Sequence, residues 1–392
     1  MPSSDILPNT QGSPRRDGFE ITALCIGNAL GSCGPGAMPL WVADLTRAQV
    51  LSVSQVGPLA SGELFAMALS VVAVSAWGKS ASPRSVSVVA ASVAVVSNLL
   101  SMLPSVQALV IGRLLSGLAM GALLASATKI AACRRDAQRV LTLMQALGIL
   151  LMSAIYFVSP ALFGRFGSAG LFATFSIVGS VMIVAALVGL PRATDTPPVT
   201  YLAGSRVLSP LLACLALAIV YAGHNSIWTY IVSIGATLGF DARTVGTVLA
   251  VAPPLALLGP LAAHLIGERA GLLRPILVSL GLLAINIWFL VDATSQILFC
   301  IYTAALHVWM LFCMPYAIAL LGRLDSTGRF ASSAPAFMMG GGAAGPALGA
   351  RIISADRGFH ALALVAALTV MAGIVLFSLA TRMHAGRDLR TI

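Results

Sequence analysis

The chain has 392 residues, of which 58% are hydrophobic and only 9% are charged. A soluble globular protein carries roughly 25% charged residues, so this composition excludes an ordinary soluble enzyme and predicts an integral membrane protein. The net charge of +10 comes from basic residues spread between apolar runs, with no single basic patch. That distribution argues against a nucleic-acid partner and indicates the positive-inside bias of proteins embedded in a lipid bilayer.

Apolar runs follow one another along almost the whole chain, each bounded by Arg, Lys, Pro or Gly. Crossing the hydrocarbon core takes about 20 helical residues. Helices are expected because the bilayer interior cannot hydrogen-bond free backbone groups, and the two-residue alternation of a membrane β-barrel is absent. Twelve spans, numbered here in chain order, are predicted over residues 19–42, 52–77, 84–103, 106–128, 140–163, 168–190, 209–232, 244–267, 273–291, 296–321, 330–354 and 358–381.

The basic residues between the spans alternate in number from one side of the membrane to the other. If the N-terminus is inside, the cytoplasmic segments contain seventeen of them: Arg15, Arg16, Lys79, Arg84, Lys129, Arg134, Arg135, Arg139, Arg192, Arg206, Arg269, Arg274, Arg323, Arg329, Arg382, Arg387 and Arg390. The opposite side contains five, namely Arg47, Arg165, Arg243, Arg351 and Arg357. This bias predicts a multi-pass protein of the cell (inner) membrane with both termini cytoplasmic.

The sequence divides into two halves that echo one another. Residues 159–164 (SPALFG) in span 5 are similar to residues 345–350 (GPALGA) in span 11, 186 positions later, and Asp136 and Asp325 lie 189 positions apart. We therefore predict an all-α protein of two pseudo-symmetric six-helix bundles, an architecture that binds its substrate at mid-membrane between the repeats. The predicted segments are an N-terminal cytoplasmic tail (1–18), a first bundle (19–190), a linker (191–208), a second bundle (209–381) and a C-terminal cytoplasmic tail (382–392).

Two ionisable residues lie deep in the first half, Glu63 in span 2 and Arg113 in span 4. At about 1.5 Å per residue they lie roughly 16 Å and roughly 10 Å below the outer boundary. A charge at such depth costs at least about 2.5 kcal/mol, so each side chain is expected to face water or a partner. Three interpretations are open: a role in proton coupling, a structural or gating ion pair, and no contact between the two.

The second half has no Asp, Glu, Lys or Arg in the middle of a span, but it does have polar and aromatic residues there. His224 and Trp228 are one helical turn apart, and Tyr221 precedes His224 by three residues, so the three share one helix face. Such a stripe is consistent with an aromatic, weakly polar binding pocket, although hydrogen bonding between helices is the simpler role for each polar residue. The candidate substrate-binding residues are Asn28, Gln145, Tyr221, His224, Asn225, Trp228, His307 and Tyr316.

The motifs of ATP-driven or enzymatic chemistry are missing from the sequence. No glycine run continues into a GK[ST] phosphate loop, and no HExxH motif or catalytic-triad spacing occurs. The six cysteines include no CxxC pair and are interpreted as small apolar packing residues. We therefore predict no enzyme activity, no metal and no cofactor.

Eight residues form three short motifs in span 4, in the loop after span 8 and in span 11: Gly117, Glu268, Arg269, Gly271, Gly341, Gly345, Pro346 and Gly349. With Arg113 four positions before Gly117, the first resembles the helix-four motif of the major facilitator superfamily. The loop motif resembles the D-R-x-G sequence of that family, with Glu268 in place of aspartate. The span 11 pattern resembles the family's antiporter motif, whereas the span 5 copy departs from that motif at Ile155, Ser159 and Phe163.

This resemblance covers essentially the whole chain and implies alternating access by rocking of two bundles, with Arg113 taking part in proton exchange. It implies a monomer in the lipid bilayer that carries a small-molecule substrate with protons as the coupling ion. Proton-coupled efflux is the expected function, and proton-coupled uptake of a sugar or an aromatic or other organic acid is the alternative. A membrane receptor or scaffold and a membrane-embedded enzyme are further alternatives of other classes.

Overall fold

The computed structural model describes residues 14–77, 82–134, 136–192, 207–267, 269–325, 329–355 and 357–388. These residues form helices and turns, and no β-strand occurs among them. The first half contains α1 (Pro14–Arg47), α2 (Val53–Trp77), α3 (Pro83–Leu100), α4 (Val106–Ala132), α5 (Ala137–Phe166) and α6 (Ser168–Gly189). The second half contains α7 (Leu208–Thr229), α8 (Ile231–Thr237), α9 (Ala242–Ala256), α10 (Leu258–Ile266), α11 (Leu273–Leu290), α12 (Gln296–Leu324), α13 (Arg329–Ser354) and α14 (Gly358–Asp388).

Ten segments of the described chain are long and apolar enough to cross a membrane, with α9 and α10 together forming one of them. Large apolar side chains point away from the protein, as expected in hydrocarbon: Val89, Phe157, Ile177 and Leu265 are each more than 60% exposed. The glycine-rich helices α1 and α13 are not among these ten and pack between other helices. Their small residues permit close packing against neighbours, and they face less lipid.

The same helix pairs pack together in both halves. In the first half α1 packs on α5 and α6, α3 packs on α4 and α6, and α2 packs on α4. In the second half α7 packs on α13 and α14, α11 packs on α12 and α14, and α9 packs on α12. This repeat confirms the predicted fold class of two pseudo-symmetric six-helix bundles. The halves meet through α2 with α13 and through α5 with α9, two contacts that the same symmetry relates.

Glycine positions decide how closely some helices approach. A Cβ atom at Gly117 of α4 would overlap the carbonyl oxygen of Glu63 on α2, and one at Gly341 of α13 would overlap the carbonyl oxygen of Ala218 on α7. A Cβ atom at Gly345 would likewise lie 2.7 Å from the backbone nitrogen of Ser226. The glycines of the sequence motifs therefore bring helix backbones into direct contact.

The structure differs from the sequence prediction in helix continuity. Span 7 is broken at Tyr230, between α7 and α8, and span 8 is broken at Leu257, between α9 and α10. The second break directly follows the pair Pro253 and Pro254, which remove backbone donors from the helix. In addition, α1 begins at Pro14 and α14 continues to Asp388, so both helices extend into the segments predicted as tails.

Candidate functional site

The two halves enclose a central cavity of about 300 Å³. Five helices line it, α1 and α5 from the first half and α7, α9 and α12 from the second. The lining residues are Ser32, Pro35, Gly36, Gln145, Gly148, Ile149, Met152, Tyr156, His224, Asn225, Trp228, Pro253, His307 and Leu311. A larger depression of about 540 Å³ lies between α3 and α4, but it is lined by Val, Leu, Ala and one Ser and offers a ligand almost no polar contact.

Four aromatic rings form a chain across the cavity wall. The rings of Trp228 and His307 meet edge to face with centroids 4.5 Å apart, and those of His224 and His307 do so at 5.2 Å. Tyr156 of α5 meets Trp228 from the other half at 6.3 Å, also edge to face. Edge-to-face geometry is favourable for aromatic pairs because the positive ring edge points at the negative face. The chain therefore joins both bundles at the site.

Hydrogen bonds fix the polar side chains of the cavity unequally. On the first-half side, Asn28 donates from Nδ2 to the carbonyl oxygen of Met144 at 3.0 Å and to Gln145 Oε1 at 3.2 Å, and Ser32 donates to the carbonyl oxygen of Asn28. On the second-half side, His224 Nδ1 lies 3.4 Å from Asn225 Oδ1. His224 Nε2 is buried and has no hydrogen-bond partner in the described part of the protein.

Direct contacts between the halves lie at one end of the cavity. We call them the outer seal, because the sequence predicts that this end faces the exterior. It comprises Trp228, whose indole Nε1 donates to the carbonyl oxygen of Pro35 at 3.1 Å, and Ser61, whose hydroxyl accepts from the backbone nitrogen of Ala347 at 2.9 Å. It also includes Gly57 of α2 and Gly246 of α9, each packed against the other half. All these residues lie in the halves of their helices that are remote from the N-terminal end of α1.

The outer seal follows the internal repeat. Gly57 and Gly246 are 189 positions apart, the spacing that also separates Asp136 from Asp325. A Cβ at Gly57 would lie 2.7 Å from the carbonyl oxygen of Pro346 in α13, and a Cβ at Gly246 would lie 2.7 Å from the Pro160 ring in α5. Each glycine thus lets the proline-containing helix of the opposite half approach its own helix closely.

Glu63 and Arg113 form an ion pair, with Arg113 Nη1 3.3 Å from Glu63 Oε1. The guanidinium also donates to Asn98 Oδ1 at 2.6 Å and, through both Nε and Nη2, to Ser101 Oγ at 3.1 Å. Its carbon lies 4.3 Å from the centroid of the Phe172 ring. The arginine is 0% exposed and the glutamate 1%. Since α3 and α6 provide these other partners, Arg113 stays solvated by the protein whether or not Glu63 is charged.

The ion pair lies behind α1, outside the cavity wall. Glu63 is absent from the cavity lining, and its Oε2 has no partner among the described residues. A Cβ built at Gly34 of α1 would lie 3.9 Å from Glu63 Oε1. The next two residues of α1, Pro35 and Gly36, line the cavity. Gly34 therefore places no side chain of its own against the carboxylate, whereas the Met120 sulfur lies beside the same position, 2.9 Å from such a Cβ.

A second charge cluster lies at the end of the molecule opposite the outer seal. Arg134 contacts Glu20 at 2.9 Å, Asp136 at 2.9 Å and Asp17 at 4.0 Å. The hydrogen bond from Arg134 keeps the pKa of the exposed Asp136 carboxyl below its ordinary value. The cluster joins the beginning of α1 to the connection between α4 and α5. It strengthens the first bundle and forms no contact with the cavity.

The structure brings together five of the eight candidate substrate-binding residues at the cavity: Gln145, His224, Asn225, Trp228 and His307. Asn28 contacts Gln145 from behind, and Tyr221 lies beside His224 with ring centroids 6.4 Å apart. Tyr316 is elsewhere, where its hydroxyl donates to the carbonyl oxygen of Ala263 at 3.1 Å and closes α12 onto α10. In the loop motif, Arg269 is exposed and Gly271 has a φ of +72°, whereas Glu268 lies outside the described residues.

Sequence reasoning missed several cavity residues. Tyr156 contributes a ring to the aromatic chain, and its hydroxyl donates to the carbonyl oxygen of Gly36. Its position three residues before Ser159 and four before Pro160, inside the internal repeat, was the available signal. Met152 and Pro253 carry no chemical signal, because apolar residues are equally common on lipid-facing and buried helix surfaces.

A scan against protein-family models and a search of curated proteins give no match. Among solved structures, the chain is similar to the POT family transporter PepTSo, with a TM-score of 0.73, 12% identity, and coverage of 96% of this chain and 99% of that one. This chain therefore has the same fold as that transporter. It is similar to a D-xylose-proton symporter as well, with a TM-score of 0.73, 14% identity, and coverage of 92% and 97%. At such identities the likeness concerns the fold alone.

Proposed function

We propose that this protein is a secondary active transporter of the major facilitator superfamily that moves a small organic molecule by alternating access. The observation that carries the proposal is the central cavity, which both pseudo-symmetric bundles line and which contacts between them close at one end. Two repeats that enclose a mid-membrane site and contact each other on one side of it can alternate access by rocking against each other about that site. The family motifs in α4 and α13 support the same assignment.

Orientation follows from the distribution of charge. The seventeen basic residues belong to the sequence segments that the twelve-span topology assigns to the side of the N-terminus, and the positive-inside rule makes that side cytoplasmic. The outer seal lies on the opposite side. The protein would therefore have cytoplasmic termini, and its cavity would be closed to the exterior in this state. We propose that it is a monomer in the inner membrane.

Protons are the proposed coupling ion, and Glu63 is the group proposed to bind them. Desolvation opposes the charge of a buried carboxylate and the adjacent guanidinium favours it, so modest changes around the pair can shift its protonation. Protonation of Glu63 would release Arg113 to Asn98, Ser101 and the Phe172 ring, which already contact it. The closeness of Glu63 to Gly34, which directly precedes the cavity-lining Pro35 and Gly36, supports a short path between the carboxylate and the cavity.

Export is the proposed direction of transport. The glycine–proline motif of α13 packs directly on α7, where Tyr230 donates to the carbonyl oxygen of Pro346 at 2.9 Å. This contact lies within the second bundle, and it is the resemblance of the α13 motif to the family's antiporter motif that supports export. Uptake is the second candidate, and the structural similarity to a D-xylose-proton symporter favours it.

Transport by the purified full chain in liposomes tests the proposal. Labelled drugs, sugars, amino acids and aromatic acids are offered with a pH gradient imposed in either direction. We expect at least one compound to move against its own gradient, and a protonophore to stop that movement. For an exporter in cytoplasmic-side-out vesicles, protons moving outwards drive uptake of the compound, whereas a symporter requires the reverse gradient. A receptor or scaffold would give no flux above that of empty liposomes under either gradient.

A further inference from the structure

The wall of the cavity restricts what the protein carries. We propose that the substrate is a small, uncharged aromatic molecule whose hydrogen-bond donor binds His224 Nε2 beside Trp228 and His307, an assignment that rests on the transport function proposed above.

The cavity wall provides no fixed counter-charge for an ionic substrate. No Asp, Glu, Lys or Arg occurs among the residues that line it in the described part of the chain. The nearby carboxylate of Glu63 already faces Arg113. An ion that leaves water for such a site loses several kcal/mol of hydration without an opposite charge to compensate. An uncharged molecule avoids that cost.

The size and shape of the wall favour one or two flat rings. A volume of about 300 Å³ is at the lower end of the range of about 300–1,000 Å³ found for ligand pockets. The rings of His224, His307, Trp228 and Tyr156 meet successively at 81° to 87°. A flat aromatic substrate can extend this series by placing its face against an edge or its edge against a face. Met152, which is flexible, can adapt to its outline.

His224 Nε2 is a polar atom of the wall that can accept a hydrogen bond from a ligand. Asn225 Oδ1 can only accept a hydrogen bond, so its contact with His224 Nδ1 places the proton of the neutral imidazole on Nδ1. His224 Nε2 is then an acceptor, and it has no partner among the described residues although the side chain is 94% buried, its relative exposure being 6%. Leaving a buried acceptor unsatisfied is costly, and an N–H or O–H of the substrate removes that cost.

Three further polar groups of the wall already have hydrogen-bond partners within the protein. Ser32 donates to the backbone of Asn28, and Gln145 Oε1 accepts from the side chain of Asn28. Trp228 Nε1 donates to Pro35 in the outer seal. His224 Nε2 is therefore a buried acceptor that is available to a donor of the substrate, and the aromatic chain provides affinity for the ring.

Binding of three matched indoles tests this assignment without requiring transport. Indole-3-carboxamide is uncharged and donates N–H groups, indole-3-carboxylate is an anion, and tryptamine is a cation. Saturation-transfer NMR on the full chain in detergent micelles at neutral pH measures their relative binding. We expect the carboxamide to bind most tightly. Its affinity should fall roughly fivefold in His224→Phe, as expected for the loss of one hydrogen bond.

Two further variants separate recognition from folding. His224→Gln retains a side-chain acceptor and should recover binding of the carboxamide, and His360→Gln, at an exposed histidine paired with Asp292, should bind as the unmodified chain does. Tighter binding of the carboxylate or of tryptamine, equal binding of all three compounds, or binding of none overturns the inference. Carboxamide binding that depends on His224 without flux in liposomes would support this site and refute the transport function.

Discussion

The two halves have the same helix packing but opposite chemistry at their centres. The first half buries a charged pair, Glu63 with Arg113, inside α2, α3, α4 and α6. The second half places neutral rings, His224, Trp228 and His307, on the cavity surface. The repeat thus preserves backbone geometry, while the side chains have diverged into a part suited to proton binding and a part suited to substrate recognition.

This division of labour has a physical basis. A buried ion pair must be enclosed by partners to offset its desolvation, which keeps it away from a cavity that changes its access to water. Uncharged rings have no such desolvation cost, so they can line the cavity whether or not water fills it. If the comparison is correct, changes to the first half should uncouple transport from the pH gradient, and changes to the second half should alter which molecules bind.

The most severe test is Glu63→Gln, which removes the titratable group of the first half and keeps its shape. A gradient of one pH unit stores about 1.4 kcal/mol per proton and supports about tenfold accumulation. Accumulation should fall to equilibrium in the variant, while exchange of substrate across the membrane continues. The exposed carboxylate variant Asp292→Asn is the control and should accumulate normally. Unchanged uphill transport by Glu63→Gln would remove the carboxylate from the mechanism.

Replacement of Arg113 by Lys tests whether the guanidinium geometry matters beyond its charge. Lysine cannot bond Asn98 and Ser101 from one planar group or stack on the Phe172 ring. Hydrogen bonds to charged groups contribute about 1.5–3 kcal/mol each, so the maximal rate in proteoliposomes should fall by at least about tenfold. Arg357→Lys, at an exposed site outside the sequence motifs, controls for the substitution itself. A fully active Arg113→Lys protein would mean that a positive charge alone suffices.

A smaller effect is expected from Gly341→Ala, which tests the packing that both halves share. The added methyl group would overlap the carbonyl oxygen of Ala218 in α7. Forcing an extra carbon into such a contact costs about 1–3 kcal/mol and should lower the midpoint of thermal unfolding in detergent. Gly340→Ala, one residue earlier in α13, meets nothing within 4 Å and should leave the midpoint unchanged. Equal midpoints for the two variants would mean that α7 and α13 pack less closely than described.

The fold could be predicted from the sequence because hydrocarbon imposes simple rules on a chain. Span length, the alternation of basic residues and the repeat around Asp136 and Asp325 each reflect a constraint that acts along the sequence. The breaks at Tyr230 and Leu257 were missed, since apolarity continues through both positions. Hydropathy measures whether a segment prefers lipid and does not register a local interruption of helical hydrogen bonding.

The site was predicted only in part, because sequence places residues on a helix without showing how that helix is rotated. The stripe of His224 and Trp228 faced the cavity, whereas Tyr316 turned out to bond a neighbouring backbone carbonyl. The contact between Glu63 and Arg113, 50 positions apart, depends on Gly117 allowing α2 and α4 to approach. Tyr156 was overlooked because a single tyrosine in an apolar run gives no sign of which side it faces.

The outer seal consists of glycine contacts, proline surfaces and hydrogen bonds to backbone atoms, and no charged side chain is among the seal residues named above. A gap of about 0.5–1 Å already removes a quarter to a half of the energy of a dispersion contact, whereas the attraction between ions extends over roughly 10 Å in about 0.1 M salt. The outer seal should therefore have two states, closed and open, and the equilibrium between them should not depend on ionic strength. A partly open state would lose many of these short-range contacts and gain no new ones. The cavity would then be either closed or fully open at this end.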